Sequence, residues 1–458
     1  MNVTQKFPTI YLETYMPSWD DVTRKVKKYT FALASYLTDP VCSFDADKIY
    51  LKEKVFTQLF PCNGSLESRV SNWVRKSVIA TNMVANLLLT PFTAPAGIFL
   101  RYLGTHLSKE PFIYEKTNVT PKQFPSDGSF TLDNWNILLI PGENSILHGG
   151  APQADSAFSA CLNGQQPQGL PYLGLEWLFS WFVPEHKCTT RLNSIIAEIN
   201  KSDADVVCLY EGFDFSAVEK IKTALKHKFH CMVSNIAPRA VGPNSGVVIL
   251  SKFDIPVESL VVKPFPENYK DHNGETIPLG LGGCCGKSLV KFSIVGKDSE
   301  DQQKTIADIY ALHLLHSESP DPSKVTENRK IVRASQLDLV FKEMNEKQSD
   351  TRAVIVCGDL NMDPNELKEH PVIKSTQGLS FKGRIGDMIT WGGDTASAAI
   401  EGIDPSDPLQ LDYVLASSDS VKSIETTTQN CGNFDSNVIK WDSCSDHYLL
   451  KTTIQLKK

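Results

Sequence analysis

Two periods of apolar and polar positions trade places along this chain, and the point where they begin to alternate divides it. From about residue 190, short apolar runs of strand length alternate with stretches whose apolar residues recur every three or four positions. RLNSIIAEINKS has apolar residues at 192, 195, 196 and 199, which predicts a helix. DADVVCLYEGFD predicts a strand, Val206–Leu209, ending in Tyr210 and Glu211, and a helix follows over about 215–227. NSGVVILSKFDI, SLVKFSIV and ADIYALHLL predict three more strands, and 324–345 a long helix. In AVIVCGDLNMDP, Ala353–Pro364, an apolar strand runs into Gly, Asp, Asn and Pro, which end it as a turn. LQLDYVLAS and HYLLKTTIQL predict the closing strands. Two successive rounds of this alternation point to two stacked β-sheets.

Upstream the pattern differs. Residues 1–76 are polar and mixed, with helices predicted over Asp20–Tyr36 and Ser65–Val78. Then 77–100, SVIATNMVANLLLTPFTAPAGIFL, holds no charged residue and is bracketed by Arg75-Lys76 and Arg101. Its length would span a bilayer, which takes ~20 apolar residues. Pro91 and Pro95 interrupt a straight helix, so a membrane-seated apolar hairpin, or a hairpin buried in the core, fits better than a plain span. Residues 105–129 read as loop and supply the boundary between an N-terminal helical region, 1–128, and a second domain, 129–458. The second domain opens with the strand Phe130–Ile140, which carries Asn134 and Asn136. A long Gly-, Pro- and Gln-rich connection leads to LPYLGLEWLFSWFVP, 170–184, whose aromatics suit a membrane interface or an ordinary core.

Charge narrows the partners. A net charge of −7 over 458 residues argues against a chain devoted to nucleic acid, which needs a basic footprint. Eleven cysteines without regular spacing and without CxxC imply reduced thiols in a reducing, cytoplasm-like compartment. The N-terminal residues lack the basic and apolar regions of a secretory signal peptide.

Several predicted strands end on an acid, an amide or an imidazole: Asn136, Glu211, His313, Asp359, Asn361, Asp412 and Asp446-His447. In layered α/β folds such strand ends converge at one edge. Asp359 and Asn361 are two apart, so extended backbone would project both from one face. Asp412 could orient an imidazole by accepting its Nδ1 proton. Glu, Asp and Asn oxygens are hard donors that suit Mg²⁺, and no His/Cys cluster has zinc spacing. Hard donors beside a histidine suit hydrolysis of a phosphoester.

In order along the chain, NWNILLIP, DVVCLYE, SGVVILSK, ALHL, VCGDLNMDP, LDYVL and CSDHYLL resemble the motifs of the endonuclease/exonuclease/phosphatase superfamily, the deoxyribonuclease I-like fold. The resemblance covers about 130–458. It implies a four-layer α/β sandwich, two packed mixed β-sheets flanked by helices, preceded here by the N-terminal, mainly helical and partly apolar region. It also implies phosphoester cleavage with a divalent metal, Mg²⁺ with Mn²⁺ as a substitute. On this resemblance Glu211 is the main metal ligand, with Asn136 and Asp446 near the metal. Asp359 orients the attacking water and Asn361 holds a phosphate oxygen. His447 is the general base, oriented by Asp412, and His313 contacts phosphate or leaving group, with His316 as its rival. Two positions depart from the usual pattern: Tyr210 stands where Gln is frequent, and Leu312 where Thr is frequent.

GLGGCCGKS, 280–288, looks like a phosphate loop, but position 281 is Leu where a Walker A loop needs Gly. Lys287 resembles a lysine that leads into a strand in neutral sphingomyelinases. GDLNMDP and CSDH differ from the inositol polyphosphate 5-phosphatase variants, and the acidic chain with apolar insertions does not suit an AP endonuclease or deoxyribonuclease. The character of the chain is closest to neutral sphingomyelinases. The expected activity is therefore Mg²⁺-dependent hydrolysis of sphingomyelin to ceramide and phosphocholine at a membrane, through 77–100 and 170–184. A nuclease and a non-catalytic binding scaffold are the alternatives, and the complete acid, amide and histidine set weighs against the scaffold.

Overall fold

The computed structural model describes residues 19–42, 95–107, 110–123, 125–139, 188–239, 243–279, 285–297, 302–316, 327–347, 352–374, 381–391, 409–417, 419–431 and 444–457. The helix predicted over Ser65–Val78, most of the apolar stretch 77–100 and all of 170–184 lie outside them. In chain order the elements are α1 (Trp19–Cys42), α2 (95–106), β1 (Ile113–Lys116), β2 (Ser129–Leu139), α3 (Cys188–Lys201), β3 (Val206–Gly212), α4 (Phe215–Leu225), β4 (Cys231–Ser234) and β5 (Val248–Ser251). Then come β6 (Val261–Pro264), the small pair β7 (Tyr269–Lys270) and β8 (Thr276–Ile277), β9 (Ser288–Lys297), β10 (Gln303–His313), α5 (Glu327–Lys347) and β11 (Ala353–Asp359). The chain closes with α6 (Pro364–Glu369), α7 (Pro371–Lys374), β12 (Phe381–Lys382), β13 (Asp412–Ser417), β14 (Val421–Gln429) and β15 (Leu449–Leu456).

Seven strands form one sheet in the order β1-β4-β5-β3-β2-β15-β14, and six form the other in the order β12-β13-β11-β10-β9-β6. Strand alternation explains how they stack, because successive side chains point to opposite faces. In β3, Val206, Cys208 and Tyr210 face the other sheet and join Ile309, Ala311, Ile355 and Cys357 in a shared core. Val207 and Leu209 face outward and pack with Ile195 and Ile199 of α3 and Ile221 and Leu225 of α4. On the far side Tyr310, Leu312, Val354 and Val356 pack against Leu337, Val340 and Phe341 of α5. The result is helix, sheet, sheet, helix. Each large side chain sealed this way contributes ~1.5–3 kcal/mol. Both faces of each central strand are covered, so the strands read as continuous apolar runs.

Two parallel pairs set the functional edge. β2 pairs parallel with β3, and β10 with β11; the other pairings in the two large sheets are antiparallel. A parallel pair aligns its C-terminal ends, and these are the ends that carry Asn136, Glu211, His313 and Asp359. Gly358 makes the β10–β11 pairing possible. Its φ is 156°, and a Cβ there would collide with the carbonyl of Leu312, its partner across the ladder.

The N-terminal helices pack onto this frame. Gly104 of α2 lets Phe31 of α1 approach, and Phe31 lies 6.5 Å from Phe215. Arg24 makes a two-pronged salt bridge to Glu110 at 2.9 and 3.1 Å, and Lys28 pairs with Glu219 at 2.7 Å. No helix among the described residues is long and apolar enough to cross a membrane. Pro95 is the first residue of α2 rather than a break, since a proline there gives up an N–H that has no intrahelical partner. The helix then runs on to 106, beyond the predicted apolar end at Leu100. Residues 105–129, read as loop, contain β1; four residues ending in Glu-Lys give too little periodicity to signal a strand.

Candidate active site

Three side chains at the functional edge sit on strained backbone. Leu138, Glu211 and Asn361 have φ of 46°, 57° and 51°. A non-glycine residue in this region costs roughly 1–2 kcal/mol, and such strain gathers at functional sites. At Leu138 a bulge between Asn136 and Leu139 turns the end of β2. At Glu211 the turn aims the carboxylate across the edge. At Asn361 the chain has already left β11, which ends at Asp359. The expected shared strand face of Asp359 and Asn361 is therefore not formed. Instead the Asn361 backbone N–H donates to Asp359 Oδ1 at 2.9 Å, and its Nδ2 donates to Leu314 O at 3.3 Å.

The two sheets meet through Asn136 and Asp359. Asn136 Nδ2 donates to Asp359 Oδ2 at 2.9 Å and lies 3.4 Å from His447 Nε2. Its Oδ1 accepts the Leu138 N–H at 3.1 Å, so the amide NH₂ is what Asn136 offers the site. Asn134, its competitor in the sequence, is buried two positions deeper, and neither of its amide atoms has a hydrogen-bond partner. His447 Nδ1 is 2.7 Å from Asp412 Oδ2. A carboxylate only accepts, so Nδ1 carries the hydrogen and Nε2 faces Asp359 and Asp446, each 3.9 Å away. His313 Nε2 is 3.5 Å from Glu211 Oε1 and 3.8 Å from Asp359 Oδ2. His316 is exposed beyond the end of β10.

Other groups complete the set. The one Ser445 O–H is shared between the Asn136 carbonyl at 2.7 Å and Asp446 Oδ1 at 3.1 Å. Trp391 Nε1 donates to Asp446 Oδ2 at 3.3 Å, and the Asp412 N–H donates to Thr390 Oγ1 at 3.0 Å. Lys287 is buried, and its Nζ donates to Leu314 O at 2.7 Å, the same carbonyl that accepts from Asn361. The adjoining Gly286 is pressed against the Ala237 carbonyl, where a Cβ would not fit. Of the 280–288 segment, the described residues 285–288 supply one buried lysine to the site. Ser445 could have been noticed inside CSDH. Thr390 and Trp391 carry no signal in the sequence.

Burial and crowded carboxylates set the electrostatics. Glu211 is pushed up to about 7 by burial, then by Asp446 and Asp359. Burial lifts Asp412 to about 6 against the pull of His447. Burial works against charge on His447, but Asp412 and Asp446 outweigh it and hold the imidazole well above its ordinary range. His313 is driven well below its ordinary value by burial and by the Lys287 charge, so it is neutral. The residues present fit a divalent cation. Ligand atoms of Glu211, His313 and Asp359 lie within 4.8 Å of one another, and Glu211 Oε2 is buried without a hydrogen-bond partner. A lone pair in that condition needs a cation or a donor. A second group, Asp359, Asp412 and His447, is equally close, but its shortest contact is already a hydrogen bond.

Among solved structures the chain is similar to SmcL (16% identity, TM-score 0.47), covering 71% of this chain and 99% of that one. It is similar to beta toxin from Staphylococcus aureus with bound magnesium ions (16% identity, TM-score 0.45; 71% and 99% covered). It is also similar to truncated TDP2 from Caenorhabditis elegans (15% identity, TM-score 0.40; 71% and 97% covered). No curated protein matches it in sequence. The Endonuclease/Exonuclease/phosphatase family matches residues 163–447, well over half of the chain. That span takes in Glu211, His313, Asp359, Asp412 and His447, and with it this chain belongs to the Endonuclease/Exonuclease/phosphatase family, whose members are metal-dependent phosphoesterases.

Proposed function

We propose that this phosphoesterase hydrolyses a phospholipid head group at a membrane surface, with Mg²⁺ as its metal and sphingomyelin as its substrate. One observation carries the lipid reading. Of nine exposed large hydrophobic side chains among the described residues, seven lie on the two N-terminal helices: Val26, Tyr29 and Leu33 of α1, and Ile98, Phe99, Tyr102 and Leu103 of α2. Their spacings give each helix one apolar face. Clustered exposed apolar residues mark an interaction surface, and a soluble substrate gives no reason for one. The helix that carries part of it is fixed to the catalytic frame: buried Phe31 of α1 lies 6.5 Å from Phe215, the first residue of α4 and four residues after Glu211. The charge-free stretch 77–100 ends within α2. The same reading takes 170–184 as an interfacial loop and puts the protein on the membrane face that looks onto a reducing compartment.

In the mechanism we infer, Glu211 would hold the ion, with Asp446 beside it and the Asn136 NH₂ turned to the phosphate, and Mn²⁺ could take the place of Mg²⁺. When bound, the ion neutralises phosphoryl oxygens and offsets the negative field that keeps His447 protonated. His447 Nε2 accepts the proton of a water as the water oxygen bonds to phosphorus. Asp412 fixes the tautomer and stabilises the imidazolium that forms. Asp359 orients that water, and the Asn136 NH₂, Asn361, Lys287 and neutral His313 face the phosphoryl oxygens and the leaving oxygen. The phosphorus–oxygen bond to ceramide breaks, its oxygen takes up a proton from solvent, His447 returns its own proton to solvent, and phosphocholine leaves. A panel of lipid, nucleotide and inositol phosphoesters, assayed with and without Mg²⁺, tests the reading. Turnover confined to nucleic acid would replace it with a nuclease.

A further inference from the structure

A second set of ligating groups lies at the other end of the seven-stranded sheet. β3 and β4 are both antiparallel to β5, so they run parallel to each other. Glu211 is near the last residue of β3, whereas Cys231 is the first of β4, and the two ends are opposite. There His230, Cys231 and Asp254 bring one imidazole nitrogen, one sulfur and one carboxylate oxygen within 4.8 Å of one another.

The local geometry suits a cation, against burial that pushes the Cys231 thiol up to about 11. His230 Nδ1 lies 2.5 Å from the Val119 carbonyl. A carbonyl only accepts, so Nδ1 carries a hydrogen and Nε2 is the nitrogen directed toward Asp254. His230 Nε2 is 3.6 Å and Cys231 Sγ 3.5 Å from the same atom, Asp254 Oδ1. In tetrahedral zinc sites, with bonds of ~2.0–2.1 Å to nitrogen and oxygen and ~2.3 Å to sulfur, neighbouring donor atoms stand roughly 3.4–3.6 Å apart. Both separations are already met. The oxygen also holds a positive charge now: Lys116 Nζ is 2.7 Å from Asp254 Oδ1, on a half-exposed side chain free to turn into solvent. His230 and Asp254 are partly open to solvent and give an ion a route in, while Cys231 is sealed beneath them.

We propose that His230, Cys231 and Asp254 form a second, non-catalytic metal site for a borderline-soft divalent ion, zinc in the first instance. Lys116 leaves Asp254 as the ion arrives, the Cys231 thiol gives its proton to solvent, and a water completes four ligands. The nitrogen and sulfur donors set this site apart from the oxygen-rich one around Glu211. The ion would tie the segment after β1, the start of β4 and the turn after β5 into one unit.

Cobalt(II) titrated into the full chain, with excess Mg²⁺ present, is the test. The expected result is an intense near-ultraviolet thiolate-to-cobalt band that saturates at one equivalent and is abolished by zinc. Cys231→Ser should remove the band and Asp254→Asn should weaken cobalt binding by about 10-fold or more. Phosphoester turnover by both variants should stay unchanged, which also reports that they are folded. A wild-type chain without the band, or a Cys231→Ser variant that keeps it, would overturn the proposal.

Discussion

His447 Nδ1 and Asp412 Oδ2 are 2.7 Å apart, with the Asp412 carboxyl fully buried at the first residue of β13. Thirty-five residues separate the two in sequence. Asp412 is held in register opposite Asp359, so one strand pairing positions both the group that orients the imidazole and the group that faces it. If this pair produces the base, Asp412→Asn should lower kcat on the order of 10²–10⁴-fold, with little change in KM. His447→Ala should abolish turnover of every phosphoester while leaving the fold intact. Steady-state kinetics with circular dichroism checks both, and near-normal kcat in either variant would remove the pair from the mechanism.

Glu211 makes metal binding depend on pH. Its carboxyl titrates at about 7 in the metal-free protein against an ordinary 4.5. Between these values the folded chain holds a proton that the unfolded chain has released. The stability contributed by this group is therefore full below 4.5 and lost as pH rises through about 7. An incoming Mg²⁺ must displace the same proton, so affinity should climb with pH and level off above about 7. Calorimetry in buffers of different ionisation enthalpy should register the released proton at pH 6. Glu211→Gln should lose both the proton release and most of the affinity; an unchanged binding isotherm would reassign the ligand.

Gly358 tests the backbone geometry of the site independently of its chemistry. A side chain there meets the Leu312 carbonyl across the β10–β11 ladder. Gly358→Ala should cost ~3 kcal/mol or more, because backbone rather than a movable side chain must give way. Thermal unfolding that matches the wild type would contradict this packing.

Much of the edge is legible in the sequence, for a physical reason. An apolar run that stops at an acid, as in VVCLYE or AVIVCGD, marks a strand leaving the core, and Glu211 and Asp359 sit at those exits. The period of two could also have chosen between His313 and His316. His313 shares a face with Ile309 and Ala311, which point into the shared core, whereas His316 lies beyond the strand. Asn361 is misread for the opposite reason: its φ of 51° is a local turn that no alternation rule anticipates. β14, VKSIETTTQ, is a polar edge strand, recognisable only once β15 pairs with it. Thr390 and Trp391 acquire roles only because the bridge from Trp391 to His447 brings them under the site.

The apolar faces of α1 and α2 should govern vesicle binding. Replacing Tyr29 and Leu33, or Phe99 and Leu103, with Glu removes two anchors at a time. At ~1.5–3 kcal/mol for each buried side chain, either pair should weaken association with sphingomyelin vesicles roughly 10²–10⁴-fold. Turnover of a water-soluble phosphodiester should be unaffected. Co-sedimentation equal to wild type in both double variants would separate these helices from any membrane.

The most direct measurement is phosphocholine release from sphingomyelin vesicles by the purified full chain, run beside nicking of supercoiled plasmid DNA. The account predicts release that needs Mg²⁺, is restored by Mn²⁺, and disappears in His447→Ala, with the plasmid left intact. No release under any metal, together with efficient Mg²⁺-dependent nicking, would contradict it.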